Sequence, residues 1–176
     1  MIKNHIKKLK IFLEETFKIN TYTKKIARGA LIAAFYTALT VALAPISYGP
    51  VQFRVSEALT LLPFYFPEAI PGLTIGCVFA NFFGGFGFTD MFFGSLATLI
   101  AAFLTLKSKN IFIAAFWPVI SNALIIGAML HFLIDVPLIA TCFYVGLGEA
   151  GACYLVGVPL MKFLEKRKII IGSSVN

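Results

Sequence analysis

The chain has 176 residues, 59% of them apolar and only 13% charged, with a net charge of +7 and a mean hydropathy of +0.89. These values lie well outside the soluble globular range and exclude an ordinary cytoplasmic domain. The basic excess does not point to nucleic acid, because the cations flank apolar spans and form no patch on a soluble fold; anionic lipid headgroups are the expected partner.

In chain order, residues 1–25 stand apart. Ile2, Ile6, Leu9, Phe12 or Leu13, and Phe17 recur at three- to four-residue steps with Lys3, Lys7, Lys8, Lys10 and Lys18 largely between them. The spacing predicts an amphipathic basic helix on the cytoplasmic membrane surface, with a frayed basic tail as the alternative. Residues 26–168 form the transmembrane domain and 169–176 a C-terminal tail. The first span is expected over about Ile26 to Ala44, ended by Pro45, Gly49 and Pro50, and a non-helical loop PISYGPVQF leads to Arg54.

A second span, Ser56 to Phe66, is short for a bilayer and needs shelter from other helices. Pro67, Glu68 and Pro71 turn into a third span over Ile70 to Phe83, followed by the turn GGFGF. Thr89 and Asp90 stand where an N-cap would start the fourth span, Met91 to Leu106. The fifth, Ile111 to Leu133, contains Trp117–Pro118, a kink whose freed backbone groups need new partners. Asp135 and Pro137 turn into the sixth, Leu138 to Phe163, interrupted by Glu149 between glycines.

Fourteen of the fifteen Lys and Arg residues lie in the first 28 residues, at Lys107–Lys109 or at Lys162–Lys168. The fold class is therefore all-α: a polytopic membrane protein with about six transmembrane helices and both termini cytoplasmic. The loop after span two lacks Lys and Arg, so spans two and three can alternatively form a shallow hairpin. Arg54 is the one cation assigned to the outside.

Ionisable groups inside a bilayer are costly, so they are functional candidates. Glu149, in GLGEAGA, is the clearest, unless it merely accepts hydrogen bonds from a neighbouring helix. Arg54 and Glu57, three residues apart, share a helical face and can pair, either as ligand-binding groups or as an internal salt bridge. Asn81 and Asn122 are further candidates, with plain interhelical hydrogen bonds as the alternative. These groups suggest a cavity open to the outside. Tyr48, Tyr65 and Tyr144 fit an aromatic belt at the membrane interface, and His131 an interfacial position.

Ala30, Ala34, Ala38 and Ala42 make a small-residue stripe on span one, suited to close helix approach with a partner or within the chain. Cys77, Cys142 and Cys153 lack metal-ligand spacing and are expected as buried free thiols. No GxxxxGK[ST] loop, HExxH pattern or Ser–His–Asp set is present, so neither catalysis nor a cofactor is expected and any transport would draw its energy from another chain.

The segment VQFRVSEALTLLPFYFPEAIPGLTIGCVFANFFGG, followed by D-x-x-FGSLATL, resembles the QueT-type membrane proteins, substrate-binding (S) components of energy-coupling factor (ECF) transporters for queuosine precursors. The resemblance runs from about Ala27 through the sixth span and leaves residues 1–25 outside. It implies capture of a 7-deazaguanine, such as an aminomethyl or cyano precursor or queuine, and delivery through a transmembrane coupling subunit driven by two ATPase subunits. It also implies a coupling-subunit surface at Ala30, Ala34 and Ala38, and ligand contacts at Gln52, Arg54, Glu57, Asn122 and Glu149. A carboxylate can accept two adjacent N–H groups of a guanine-like edge, and Arg54, Asn81 or Asn122 can donate to its carbonyl. An S component for another vitamin or micronutrient, or a structural membrane protein, are the competing readings.

Overall fold

The computed structural model describes residues 2–48 and 52–170, with side chains from residue 21 onward. The regular elements of the described residues are all helical: α1 (Ile2–Ala42), the single turn α2 (Ala44–Ser47), a 3-10 segment (Val55–Phe64), α3 (Ala69–Phe82), α4 (Gly87–Leu106), α5 (Ile111–Ile134), α6 (Leu138–Ala150), a π-helical segment (Gly151–Gly157) and α7 (Val158–Lys166). The basic N-terminal stretch is helical and continuous with the first span. Its side chains before Thr21, and with them the amphipathic reading of residues 1–25, lie outside the described residues, as do 171–176 of the tail.

Four helical stretches among the described residues are long and apolar enough to cross a membrane: Thr21–Ala42, Gly87–Leu106, Ile111–Ile134 and Leu138–Lys166. The 3-10 segment and α3 are apolar but shorter. Large apolar side chains such as Phe35, Phe79, Phe92, Phe132 and Leu155 point outward, as lipid-facing residues do.

Neighbouring helices approach closely where the sequence supplies small residues. A Cβ on Gly72 of α3 would collide with the Gly29 backbone of α1, and one on Gly76 would lie 3.0 Å from Cα of Ala33. Thr37 Oγ1 donates to the Gly76 carbonyl across the same seam (3.0 Å), and Arg28 pairs with Glu68 at its end (3.2 Å). Gly127 of α5 makes the equivalent contact with Cys142 of α6. Close backbone approach of this kind supplies packing energy where lipid removes the hydrophobic drive.

At the centre lies the 3-10 segment, touched by α1, α3, α4, α5, α7 and the π segment. Ser56, Glu57, Ala58, Thr60, Leu61, Leu62 and Pro63 are all buried, so it is sheltered on every side. At about 2.0 Å of rise per residue, ten residues wound this way reach about 20 Å, against about 15 Å for an α-helix. The tighter winding lets a short segment extend far through the bundle.

Local differences from expectation have physical causes. The segment before Arg54 is not wholly irregular, because Ala44–Ser47 forms a helical turn with Pro45 in its first positions, where a missing N–H costs nothing. Helix α4 starts at Gly87, with Phe86 as its N-cap, and not at Thr89 or Asp90; the Asp90 side chain turns inward to Arg54. Pro118 leaves α5 continuous. The Ala114 carbonyl, which loses its donor to Pro118, accepts instead from Thr105 Oγ1 of α4 (3.1 Å). Glu149 does not interrupt the sixth span. The chain widens just after it, where the Val158 N–H reaches back five residues to the Cys153 carbonyl, and Pro159 follows without an N–H for the α-helical ladder.

Tyr48 donates to the Ala80 carbonyl, and Tyr65, buried, to Glu165 Oε2 (3.4 Å). Tyr144 is half exposed. His131 Nδ1 lies 2.6 Å from the Val136 carbonyl, closing the turn after α5, where Asp135 takes a left-handed φ of 52°. The three cysteines are free thiols, Cys77 and Cys153 buried and Cys142 half-buried.

Candidate functional site

The residue before the 3-10 segment, Arg54, is the largest fully buried side chain in the described protein. Its Nη2 lies 3.7 Å from Asp90 Oδ1 of α4. Its Nε donates to the Ser47 carbonyl (3.5 Å), and its guanidinium stands over the Tyr48 ring, 5.6 Å from the centroid. A cation in such a place needs this company. No ion pair links Arg54 to Glu57 among the described residues, so the i, i+3 pairing is not formed. Glu57 instead accepts from the Tyr36 hydroxyl of α1 at Oε1.

Around this pair, Asn81 Nδ2 donates to the Asp90 carbonyl (3.0 Å) and to Cys77 Sγ (3.4 Å), and Thr98 Oγ1 also reaches Cys77 Sγ (3.3 Å). Thr40 and Ser56 share a hydrogen bond of 2.6 Å. Glycines leave room for the polar groups: a Cβ on Gly94 would strike the Asn81 amide, and one on Gly84 would lie 2.8 Å from Asp90 Oδ2. Glu149 comes from the last turn of α6 and lies within electrostatic reach of Glu57 and Arg54. The π segment that follows packs on the 3-10 segment, where Cys153 Sγ donates to the Glu57 carbonyl (3.6 Å) and Gly157 abuts Ala58. The two irregular helices therefore meet beside the acidic groups.

The polar cluster is not satisfied from within the protein. Ser47 Oγ, Arg54 Nη2, Glu57 Oε2, Asn81 Oδ1, Asp90 Oδ1 and Glu149 Oε2 are buried without a hydrogen-bond partner. Such groups cost about 1–3 kcal/mol each when left unpaired, more when charged, so their concentration in one place makes this core the candidate site, although Arg54 Nη2 and Asp90 Oδ1 compensate each other as an ion pair. The QueT transporter family matches residues 26–166. The chain belongs to the QueT transporter family. It is 33% identical over 156 residues to the queuosine precursor transporter QueT of Lactococcus lactis subsp. cremoris (strain MG1363), covering 78% of this chain and 90% of that relative. No solved structure matches. Membership in this family, with several apolar helices, makes the chain a multi-pass cell-membrane transporter.

Within this QueT-family chain, the residues singled out in the sequence fall into three groups. Arg54, Glu57, Asn81 and Glu149 contribute to the unsatisfied cluster. Gln52 is buried at its edge with a left-handed φ of 48°, its carbonyl accepting the Arg54 N–H (2.9 Å). Asn122 is buried too, and its Nδ2 donates to the Pro118 carbonyl of its own helix (3.1 Å) and not across to another helix. All six side chains are at most 5% exposed, so none of them lines the open cavity expected.

Sequence reasoning missed Asp90, Tyr36 and Tyr48. Asp90 carried a signal: with Glu68, Asp135 and Glu149 it is one of four acidic residues with no Lys or Arg within ten positions in the chain. The alanine stripe lies elsewhere. Ala30, Ala34 and Ala38 line an outward-facing, almost wholly apolar groove of about 850 Å³ between α1 and α3, whose floor includes Gly29, Gly72 and Ile75. Their side chains are exposed, while Gly29, Ala33 and Tyr36 make the closest approach to α3.

Proposed function

We propose that this chain is the substrate-capture (S) component of an ECF-type importer for a queuosine precursor. In this reading it binds a 7-deazaguanine from outside and delivers it through a coupling subunit driven by two separate ATPases. The observation that supports the ligand-binding part is the group of six buried polar atoms without a hydrogen-bond partner, in a chain whose relative is named for queuosine precursor transport. Glu149 accepts the adjacent N–H donors of the guanine-like edge and Arg54, whose Nη2 is the free donor, gives to the carbonyl, while Gln52, Glu57, Asn81 and Asn122 complete the set.

The coupling subunit docks on the exposed stripe Ala30, Ala34 and Ala38, where small residues allow close helix approach. Six membrane segments, counting the buried 3-10 segment and α3 as short spans, put both termini and Lys107–Lys109 in the cytoplasm, in line with the positive-inside bias. The basic stretch 1–25 then serves as a cytoplasmic surface helix. Labelling of single cysteines placed at 107 and 135, in a background free of native cysteines, tests that orientation in intact cells. External reagent should reach 135 and not 107; the opposite pattern inverts it.

The test of the function is a competition panel on purified protein in lipid nanodiscs. A bound radiolabelled 7-deazaguanine should be displaced by other 7-deazaguanines and not by biotin, riboflavin or thiamine. Displacement by one of the vitamins would move the chain to another micronutrient, and binding of none would favour a structural membrane protein.

A further inference from the structure

Tyr36 is fully buried on α1. It lies two residues from Ala34 and two from Ala38, and two residues turn an α-helix through about 200°, so it projects away from the exposed stripe. Its hydroxyl donates to Glu57 Oε1 of the central 3-10 segment. One turn further along α1, Thr40, also fully buried, shares a hydrogen bond of 2.6 Å with Ser56. Side chains one turn apart on α1 thus hold two consecutive residues of the segment.

The two bonds differ in what they leave free. Thr40 and Ser56 join one hydroxyl to another. Glu57 is a carboxylate whose N–H donates to the Arg54 carbonyl (2.9 Å) and whose carbonyl accepts from Thr60 Oγ1 (2.5 Å) and Cys153 Sγ (3.6 Å). Its Oε2 is buried without a hydrogen-bond partner. With the main chain pinned and Oε1 tethered, the free oxygen keeps one direction. A binding group ordered before the ligand arrives does not have to be ordered at binding, which raises affinity.

Packing alone does not account for the tyrosine. Its Cβ is 3.0 Å from where a Cβ on Gly76 would stand, so the residue belongs to the seam between α1 and α3, which a phenylalanine ring would fill as well. A buried hydroxyl is costly unless hydrogen-bonded, and Glu57 is the acceptor that this one finds.

We infer that Tyr36 is a positioning residue for ligand capture: its hydroxyl holds the Glu57 carboxylate so that Oε2 stands ready for the ligand. This rests on the proposed capture of a 7-deazaguanine, in which Glu57 is one of the contact groups.

The experiment titrates 7-aminomethyl-7-deazaguanine calorimetrically into wild type, Tyr36→Phe, Glu57→Gln, the double variant and Thr40→Val in nanodiscs, with melting temperatures in parallel. Tyr36→Phe keeps the ring and frees the carboxylate, so affinity should fall about three- to tenfold, as expected when one side chain must be ordered at binding. In the Glu57→Gln background the same change should have no further effect, because Tyr36 acts through Glu57. Thr40→Val loosens the same seam without touching Glu57, and should lower the melting temperature while the dissociation constant stays put. An unchanged affinity in Tyr36→Phe would overturn the role, as would a loss that persists in full beside Glu57→Gln. An equal loss in Thr40→Val would show general loosening of the seam, and a Tyr36→Phe protein that does not fold would make the hydroxyl structural; either overturns it. Failure of wild type to bind the probe would overturn the capture reading itself, and this role with it.

Discussion

Arg54 Nη2 and Asp90 Oδ1, both buried, face each other across 3.7 Å between the start of the central 3-10 segment and the first turn of α4. The pair ties the segment to its neighbour and keeps a lone guanidinium compensated inside apolar sequence. Removing one partner leaves an unpaired buried charge, which costs about 3–5 kcal/mol, whereas replacing both by apolar groups of similar volume is often close to neutral. Arg54→Met should therefore destabilise strongly, and Arg54→Met with Asp90→Leu should recover most of the loss. Denaturation of the four proteins in mixed micelles reads the coupling. Additive losses would mean that the two groups act independently.

The seam between α1 and α3 depends on two glycines. A methyl at position 72 would overlap the Gly29 backbone, which cannot move without shifting the helix. Overpacking of this kind costs about 1–3 kcal/mol, so Gly72→Ala should lower the melting temperature measurably, and Gly72→Val more so. Gly85 has open space around it, and Gly85→Ala should be neutral by the same assay. An unchanged melting temperature for Gly72→Val would show that the helices are not in contact there.

Much of this arrangement was legible in the sequence where punctuation is strong. Glycine and proline frame α3, expected from Ile70 and found from Ala69, and the basic loop frames α5. The isolation of Arg54 in the charge pattern pointed to a residue that is buried and ion-paired. Its partner was hidden, because Thr-Asp after a glycine turn reads locally as a helix cap and the pairing is long-range. The 3-10 and π windings were hidden for a similar reason. Val55–Phe64 has no periodicity that separates it from a short α-helix, and its winding is set by the helices that enclose it. Tyr36 was obscured by the alanine stripe on the opposite side of α1, which drew the reading of that helix outward.

The stripe itself gives a separable prediction. Ala34 and Ala38 line the exposed groove and stand apart from the polar core. Ala34→Leu or Ala38→Leu should hold a partner helix away, abolish uptake in cells and prevent co-purification with the coupling subunit and ATPases, while ligand binding persists. Loss of binding together with assembly would place the stripe in the chain's own packing. Retention of uptake would mean that it meets only lipid.

The claim that most of the account depends on is that the unsatisfied core is the ligand site, and Glu149→Gln tests it most directly. The substitution keeps the size of the side chain but presents an amide where a charged two-oxygen acceptor met N–H donors. Loss of a hydrogen bond to a charged group costs about 1.5–3 kcal/mol, or about ten- to a hundredfold in affinity. Calorimetric titration of a 7-deazaguanine into the variant, with the melting temperature measured in parallel, should show that loss in a protein that remains folded. An unchanged dissociation constant would remove Glu149 from the site and contradict the account.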